Sequence, residues 1–524
     1  MKAFVLRAIS RIGRFFWSWG FLKFVVFAIT LVIFLYAEED WRGARAWAAT
    51  KAKWEARGET FDYAKFIPPQ VPDDENLAAI PLFRQDEKGP DGSPDRQQWT
   101  LRRAMRYGVP AGYEGSLGGN LPPSNNYMHG VRSDWEKIRA VIAENYTAAF
   151  PGAAVPEDTL VQFDALYPFT TDLRAEAANR SVCRIDADYG TLPPFSRALG
   201  MMTDPIPLSK ILTWHARMAL HEGQSDLALE DMEINYKLLA CAAHDPSMVG
   251  GLVAIGVNAI SVGAIYDGLV DHQWNDPQLA ELEQMLAQVH FLAIYASKLR
   301  SEAVCSALDV DAIKNTPRFE TAGIMTGLDQ GDVPWLDRTP YLWPGGWWDL
   351  NKARQSDFML RRLAEVDLGE QLVHRDVHLE VTEQVNDACT RWDASLPWNF
   401  YFMLSARNLE GTATQFAYGQ TWADEARIAC ALERYRLAHG AYPPTLALVA
   451  AAYFDDPPDS NEMPHDVMNG QSFHYQLRSD GTFRLYSVGW NQTDDGGIIV
   501  FDKDRPNAID KSRGDWVWPS VISR

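Results

Sequence analysis

The chain has 524 residues, 47% of them apolar and 12% aromatic, which allows about two to four domains with buried cores. Its formal charge of −20 argues against a nucleic-acid partner, because such partners reward concentrated Lys and Arg. Five widely spaced cysteines, Cys183, Cys241, Cys305, Cys389 and Cys430, include no C-x-x-C pair. No disulfide framework is inferred, and Cys241, Cys305 and Cys430, set among Ala and Leu, read as buried free thiols.

Lys2, Arg7, Arg11 and Arg14 form a basic leader over residues 1–14, followed by an apolar run from Phe15 to Ala37. That length spans a bilayer as a helix, with Trp17, Trp19 and Tyr36 near its ends where aromatic rings favour the interface. Cations before the run and Glu38, Glu39 and Asp40 after it orient the amino terminus to the cytoplasm. The expectation is a single-pass inner-membrane protein with its bulk in the periplasm. Cleavage before Glu38 would place bulky Leu35 where a signal peptide needs a small residue, so an uncleaved anchor is favoured.

Residues 38–130 read as a stalk, Asp40 to Gly58, and then an extended segment, since Ile67 to Ser124 is rich in Pro, Gly and Asp. Residues 131–410 read as an irregular helical domain. Ser133 to Glu136 opens a helix toward Phe150, and the densest helical block runs from Ile206 to about Lys314. Leu208, Ile211, Leu212 and Met218 share one face, Gly223 turns the chain, and Leu227, Met232 and Leu239 continue on a second helix. No 34-residue recurrence makes this a repeat array. Pro246 to Asp271 is apolar enough for a second span, but Asn258 and five glycines point to a close-packed buried helix.

Phosphate-cradle, dinucleotide, nucleophile-elbow and H-E-x-x-H motifs are absent from the sequence. His374 and His378, four apart, share a helix face that zinc accepts, yet a third ligand is required and such pairs are usually surface residues. His215, among Ile211, Met218 and Ala219, reads as a hydrogen-bonded core histidine rather than a base. Trp343, Trp347 and Trp348 around Pro344-Gly345-Gly346 read as packing, with sugar stacking as the alternative.

Residues 411–524 form an α+β unit. Ile428, Ala431, Leu432 and Tyr435 make an apolar stripe on a helix that is expected to start near Trp422. Gly440 supplies a left-handed C-cap, Pro443 and Pro444 end the helix, and Thr445 caps a short run from Leu446 to Phe454. Phe473, Tyr475 and Leu477 alternate, Asp480-Gly481 turns, and Phe483, Leu485 and Ser487 alternate again, the pattern of a hairpin.

This tail, with its Gly-x-Tyr-Pro turn, Pro-x-Asp loop and acidic final loop, resembles the globular part of the major pseudopilin of type II secretion systems. The resemblance implies an extracytoplasmic module and a calcium loop carrying Ser487, Asn491, Asp494 and Asp495. Asn491 stands where that family has Asp, and the family loop is longer, so a plain Gly- and Asp-rich turn is the other reading. No prepilin leader motif precedes the apolar run, which argues against pilus assembly. Over most of its length the chain also resembles a group of bacterial envelope proteins with an amino-terminal span. Phe66-Ile67-Pro68-Pro69, Trp343 to Trp347 and Ala426 to Gly497 carry that likeness.

The fold expected is mainly α: an N-terminal membrane helix, an irregular helical bundle and a small C-terminal α+β pseudopilin-like domain. The functional expectation is a membrane-anchored envelope scaffold or interaction module, with envelope or secretion proteins as partners. A periplasmic hydrolase acting on envelope polymer or carbohydrate is the alternative.

Overall fold

The computed structural model describes residues 19–80, 83, 134–185, 189, 205–315, 343–390, 396–454, 462–505 and 508–519. The basic leader, Trp17, most of the Ile67–Ser124 segment, Ser133 and the Cys389 side chain lie outside the described residues. The chain is mainly helical, with small sheets toward the C-terminus and an apolar helix at the N-terminus. The first helix is α1, Trp19–Glu55. Next come α2 Trp135–Ala149, α3 Thr159–Leu166, α4 Phe169–Ala177, α5 Pro205–His221, α6 Ser225–His244, α7 Met248–Val270, α8 Asp276–Ala287 and α9 Phe291–Asn315. α10 Gly345–Arg361, α11 Arg375–Thr390, α12 Pro397–Asn408, α13 Thr412–His439 and α14 Leu446–Tyr453 complete the helices.

The described part of the expected span and most of the expected stalk form one uninterrupted 37-residue helix. No Pro or Gly breaks the backbone between Tyr36 and Asp40, so the acidic residues change what the helix faces and not its path. Its first half is bare. Phe24 and Phe27 are each 65% exposed and Phe34 is 69% exposed, a ridge that water disfavours and hydrocarbon accepts.

The second half of α1 is clamped to the body through α10. The Gly43 and Gly346 backbones touch, and a Cβ on Gly346 would run into the main chain of Glu39 and Asp40. Gly346 N donates to Asp40 Oδ1 at 2.8 Å and Trp347 Nε1 to Glu39 Oε2 at 3.1 Å. Fourteen residues beyond Asp40, Trp54 Nε1 donates to Asp357 Oδ1 at 2.9 Å, and Lys53 Nζ pairs with the same oxygen at 2.6 Å. The two helices therefore run parallel, with the N-terminus of α10 beside the apolar end of α1. The Trp-Pro-Gly-Gly-Trp-Trp segment is where two backbones meet, and small residues are what allow that approach. Trp348 is buried, and Trp347 packs edge-on against Trp398 while staying partly exposed, so packing accounts for Trp348 in full and for Trp347 in part.

α5 and α6 form the expected antiparallel hairpin, with Gly223 at φ +74 between them. α7 is the second long apolar helix, and 72% of its most apolar window is buried. A Cβ on Gly268 would enter the Trp274 ring, and one on Gly251 would meet Phe416 at 2.6 Å. Its glycines thus admit neighbouring side chains, the reading that the sequence favoured. Cys183, Cys241, Cys305 and Cys430 are buried thiols in no disulfide among the described residues.

α13 begins at Thr412, ten residues before the expected start near Trp422. The stripe that marks its second half is absent from its first because Ala413, Phe416, Ala417, Tyr418 and Trp422 are all buried together, on more than one face. α13 packs against α7, α8 and α9 and also touches the tail strands. Gln420 shows how tightly it is integrated, accepting from Phe291 N at 2.7 Å at the start of α9. Gly440 ends the helix at φ +81 as its C-cap. Thr445 occupies the N-cap of α14, but its side chain makes no capping bond.

β1 Val366–Asp367 and β2 Leu372–Val373 pair antiparallel as a short hairpin. β3 His474–Leu477 and β4 Phe483–Ser487 pair antiparallel with Tyr475 opposite Leu485, and the turn between them holds Gly481 at φ +84. β5 Ile499–Phe501 pairs with β6 Ile509–Gly514, and β7 Trp516–Val517 adds to β4, giving the order β3-β4-β7. One apolar core runs from Trp54 and Leu77 through the helices to Trp516 and Trp518, so tail and bundle share their interior.

Candidate functional site

The acidic loop follows β4, and the strand's end decides what each predicted side chain does. Ser487 points inward and is fully buried. Its Oγ donates to Asp466 Oδ1 at 2.8 Å, while Val488 N donates to Asp466 Oδ2 at 2.9 Å and Met468 N to Oδ1 at 2.9 Å. Asp466, in the Pro-x-Asp loop, therefore staples that loop to the hairpin and uses Ser487 to do so.

Asn491 and Asp495 do come together, Nδ2 to Oδ2 at 2.8 Å. Asp494 turns away to accept from Tyr486 OH at 3.1 Å and Gly496 N at 2.9 Å, with His474 Nδ1 3.6 Å away. The Gly496 amide leads in holding the Asp494 carboxyl below its usual range. The loop's organiser is Asp515, which the sequence reading missed. Fully buried between β6 and β7, it accepts from Asp495 N at 3.2 Å and Gly497 N at 2.6 Å. Burial raises its pKa against those amide donors. The available signal was an acidic residue wedged between Gly514 and Trp516. Gly496 and Gly497 stand at φ +74 and +77, which Gly adopts without strain. Among the described residues, no group of three or more His, Cys, Asp and Glu is arranged to hold a metal. A hard cation at this loop would take Asp495, Asn491 and backbone carbonyls first, completing its shell with water.

Beneath the staple lies a carboxyl that no motif announced. Glu425 on α13 is completely buried, and its carboxyl has no side-chain partner among the described residues, only the Ser487 amide nearby, too poorly placed for a full hydrogen bond. Burial, then the nearby charges of Asp466 and Asp424, push its pKa well up, and the Ser487 amide offsets this only in part. Asp424 beside it is raised to about 7 by burial, against the opposing Gln420 amide and Arg427. Asp466 is raised too, because burial outweighs its donors. Neighbouring carboxyls at a largely buried site oppose one another's ionisation, which favours the protonated form of Glu425. The signal in the sequence was small residues on every side, Ala423, Ala426 and Ala429, around adjacent Asp424 and Glu425.

Two further ionic clusters are self-satisfied. His215, fully buried, faces Asp231 Oδ2 with Nδ1 and lies 3.2 Å from Asp164 Oδ1 through Nε2. Arg174 reaches Asp231 at 3.2 Å. Burial opposes the imidazolium, but Asp231 and Asp164 outweigh it and raise His215 to about 9. It is a charged bridge between carboxylates at neutral pH, as a hydrogen-bonded core histidine should be and a free base should not.

His378 corrects the surface reading of the His374–His378 pair, since it is buried and its Nδ1 lies 3.2 Å from Glu365 Oε1. Glu365 also accepts from Arg362 Nε at 3.0 Å and from Tyr295 OH. Burial alone would raise the Glu365 pKa, yet His378 and Arg362 hold it below the usual range. The geometry commits His378 to this knot.

No family model, curated protein or solved structure matches the chain. What the fold and its clusters define is a helical protein with an exposed apolar N-terminal helix, internally paired charges and small C-terminal sheets.

Proposed function

We propose that the protein is a membrane-anchored scaffold or interaction module of the cell envelope, held by α1 in the inner membrane with its body on the periplasmic side. α1 carries this reading: its bare apolar half is continuous with a half clamped to the body, so the helix is both anchor and rigid arm. The basic leader and acidic exit support the orientation. The buried charges also favour a scaffold, because the His215 and Glu365 clusters spend their polar atoms on one another.

A reporter fused after Arg524 is expected to behave as extracytoplasmic, and the intact chain to stay with membranes through a carbonate wash. Release of a soluble form starting near Glu38 would remove the anchor. Extraction in mild detergent should bring down a stoichiometric envelope or secretion partner. A clean monomer that turns over envelope polymer would favour the hydrolase instead.

The loop with Asn491, Asp494 and Asp495 is proposed as a calcium element, with Ser487 acting from below through Asp466. Calcium at tenfold over its dissociation constant adds about 1.4 kcal/mol to stability by mass action, so millimolar calcium should raise the melting temperature of the full chain. Asp494→Ala with Asp495→Ala should abolish the rise and shift the calcium-free melt little, since the Asp494 side chain is 48% exposed. Identical melts in calcium and in chelator would leave the loop as a turn.

A further inference from the structure

We propose that the body is seated on the membrane surface through an aromatic belt built from two distant segments, Trp41 on α1 and Trp347 with Trp398 at the adjoining ends of α10 and α12. The inference rests on the anchored reading of α1 and adds to it where the body lies relative to the lipid.

The last apolar residue before the acidic exit with an exposed ring is Tyr36. A helix rises about 1.5 Å per residue, so Glu39 stands roughly 5 Å beyond Tyr36 and Trp41 roughly 8 Å beyond it. The headgroup layer of a bilayer adds about 5–8 Å to each side of the hydrocarbon. Both residues therefore fall inside that layer.

Trp347 is tied to this level by its bond to Glu39, and Trp398 is tied to Trp347 by a ring contact of 5.1 Å between centroids. Pro397 at the start of α12 is fixed in turn by Asn351, whose Nδ2 donates to the Pro397 carbonyl at 2.8 Å. Because α10 runs parallel to α1, its N-terminal end lies toward the membrane, and residues such as Asp357 lie away from it.

The chemistry suits the depth. Trp41 is 60% exposed, with Arg45 over its ring at 5.3 Å, and Trp347 and Trp398 are partly exposed. Indole rings are what the lipid interface favours, because the ring body is apolar while a polar edge stays paired or hydrated, as Trp347 N–H is by Glu39, and the Arg45 cation beside Trp41 adds a hydrated charge. In water, Trp41 at the neck of a clamped helix would leave 60% of its surface to solvent.

The test uses the purified full chain in lipid nanodiscs of phosphatidylethanolamine and phosphatidylglycerol, with no other protein present. A nitroxide is placed singly by Trp398→Cys and by Leu396→Cys, with Phe27→Cys as hydrocarbon reference and Ser479→Cys as aqueous reference. The chain without an introduced cysteine sets the labelling background. Leu396→Cys leaves the Trp347–Trp398 contact intact, so a folding defect in one variant does not blind the experiment.

The ratio of collision with oxygen to collision with a nickel chelate reports depth. At positions 396 and 398 it should be several-fold above that at 479 and below that at 27. Ratios at 396 and 398 equal to that at 479, with 27 still in hydrocarbon, would overturn the seating and leave the anchor. A water-exposed label at 27 would overturn the anchor itself.

Discussion

Gly346→Val is expected to unclamp the body from α1. The added Cβ would meet the main chain of Glu39 and Asp40, and main chain cannot move aside by changing rotamer as a side-chain tip can. The helices must separate, losing the Asp40–Gly346 and Glu39–Trp347 bonds as well as the packing around them. Overpacking of this kind costs about 1–3 kcal/mol or more, here concentrated at one joint. Thermal unfolding in detergent should shift down, and limited proteolysis should begin to cut near Gly58, just past the end of α1. Gly411→Ala serves as the control, because a Cβ there meets nothing within 4 Å, and it should stay within about 0.5 kcal/mol of the parent. A Gly346→Val chain that melts and resists protease like the parent would mean that the two helices are not in backbone contact.

Local chemistry was legible wherever a single residue decides a backbone path. Gly440 needs a left-handed φ, Asp480-Gly481 closes a hairpin, and the glycines of α7 make room for Trp274 and Phe416. The hairpin followed from alternation, and the structure adds its register, Tyr475 opposite Leu485. What stayed hidden depends on contacts between distant segments. Gly43 and Gly346 look like two ordinary glycines until α1 and α10 are laid side by side.

The early start of α13 was hidden for another reason. A helix buried on several faces shows no stripe, and periodicity can only detect a face that differs from the rest. Of the proposed loop residues, the pairing of Asn491 with Asp495 follows from their i, i+4 spacing in a tight loop. Ser487 is drawn off by Asp466 because it still lies on the strand, and its alternation turns it inward. Asp515 arrives from a strand near the C-terminus with no motif to mark it.

Glu425 and Asp466 are expected to respond with opposite signs when each is made an amide. Asp466→Asn puts an amide where two carboxylate oxygens accept from Met468 N, Ser487 Oγ and Val488 N, and whichever oxygen becomes –NH2 leaves a buried donor unpaired. Each such orphan costs about 1–3 kcal/mol, and the hairpin loses its staple, so the melting temperature should fall at neutral pH.

Glu425 has no well-formed bonds of that kind to lose, only a weak approach from the Ser487 amide. Its unfolded carboxyl ionises near the ordinary value of 4.5, whereas the folded one holds its proton to well above that. Between those two pH values the folded chain keeps a proton that the unfolded chain has released. Stability therefore falls as pH rises, by about 1.4 kcal/mol per pH unit, until the folded carboxyl ionises. Glu425→Gln cannot ionise, so this part of the pH dependence should vanish. The amide's own fit adds a constant offset that moves the whole curve without tilting it. The quantity to measure is the difference in melting temperature between Glu425→Gln and the parent from pH 4.5 to pH 8, expected to grow steadily in favour of the variant. Parallel curves across that range would mean that Glu425 is hydrated or paired in solution and that its carboxyl ionises as it does in the unfolded chain.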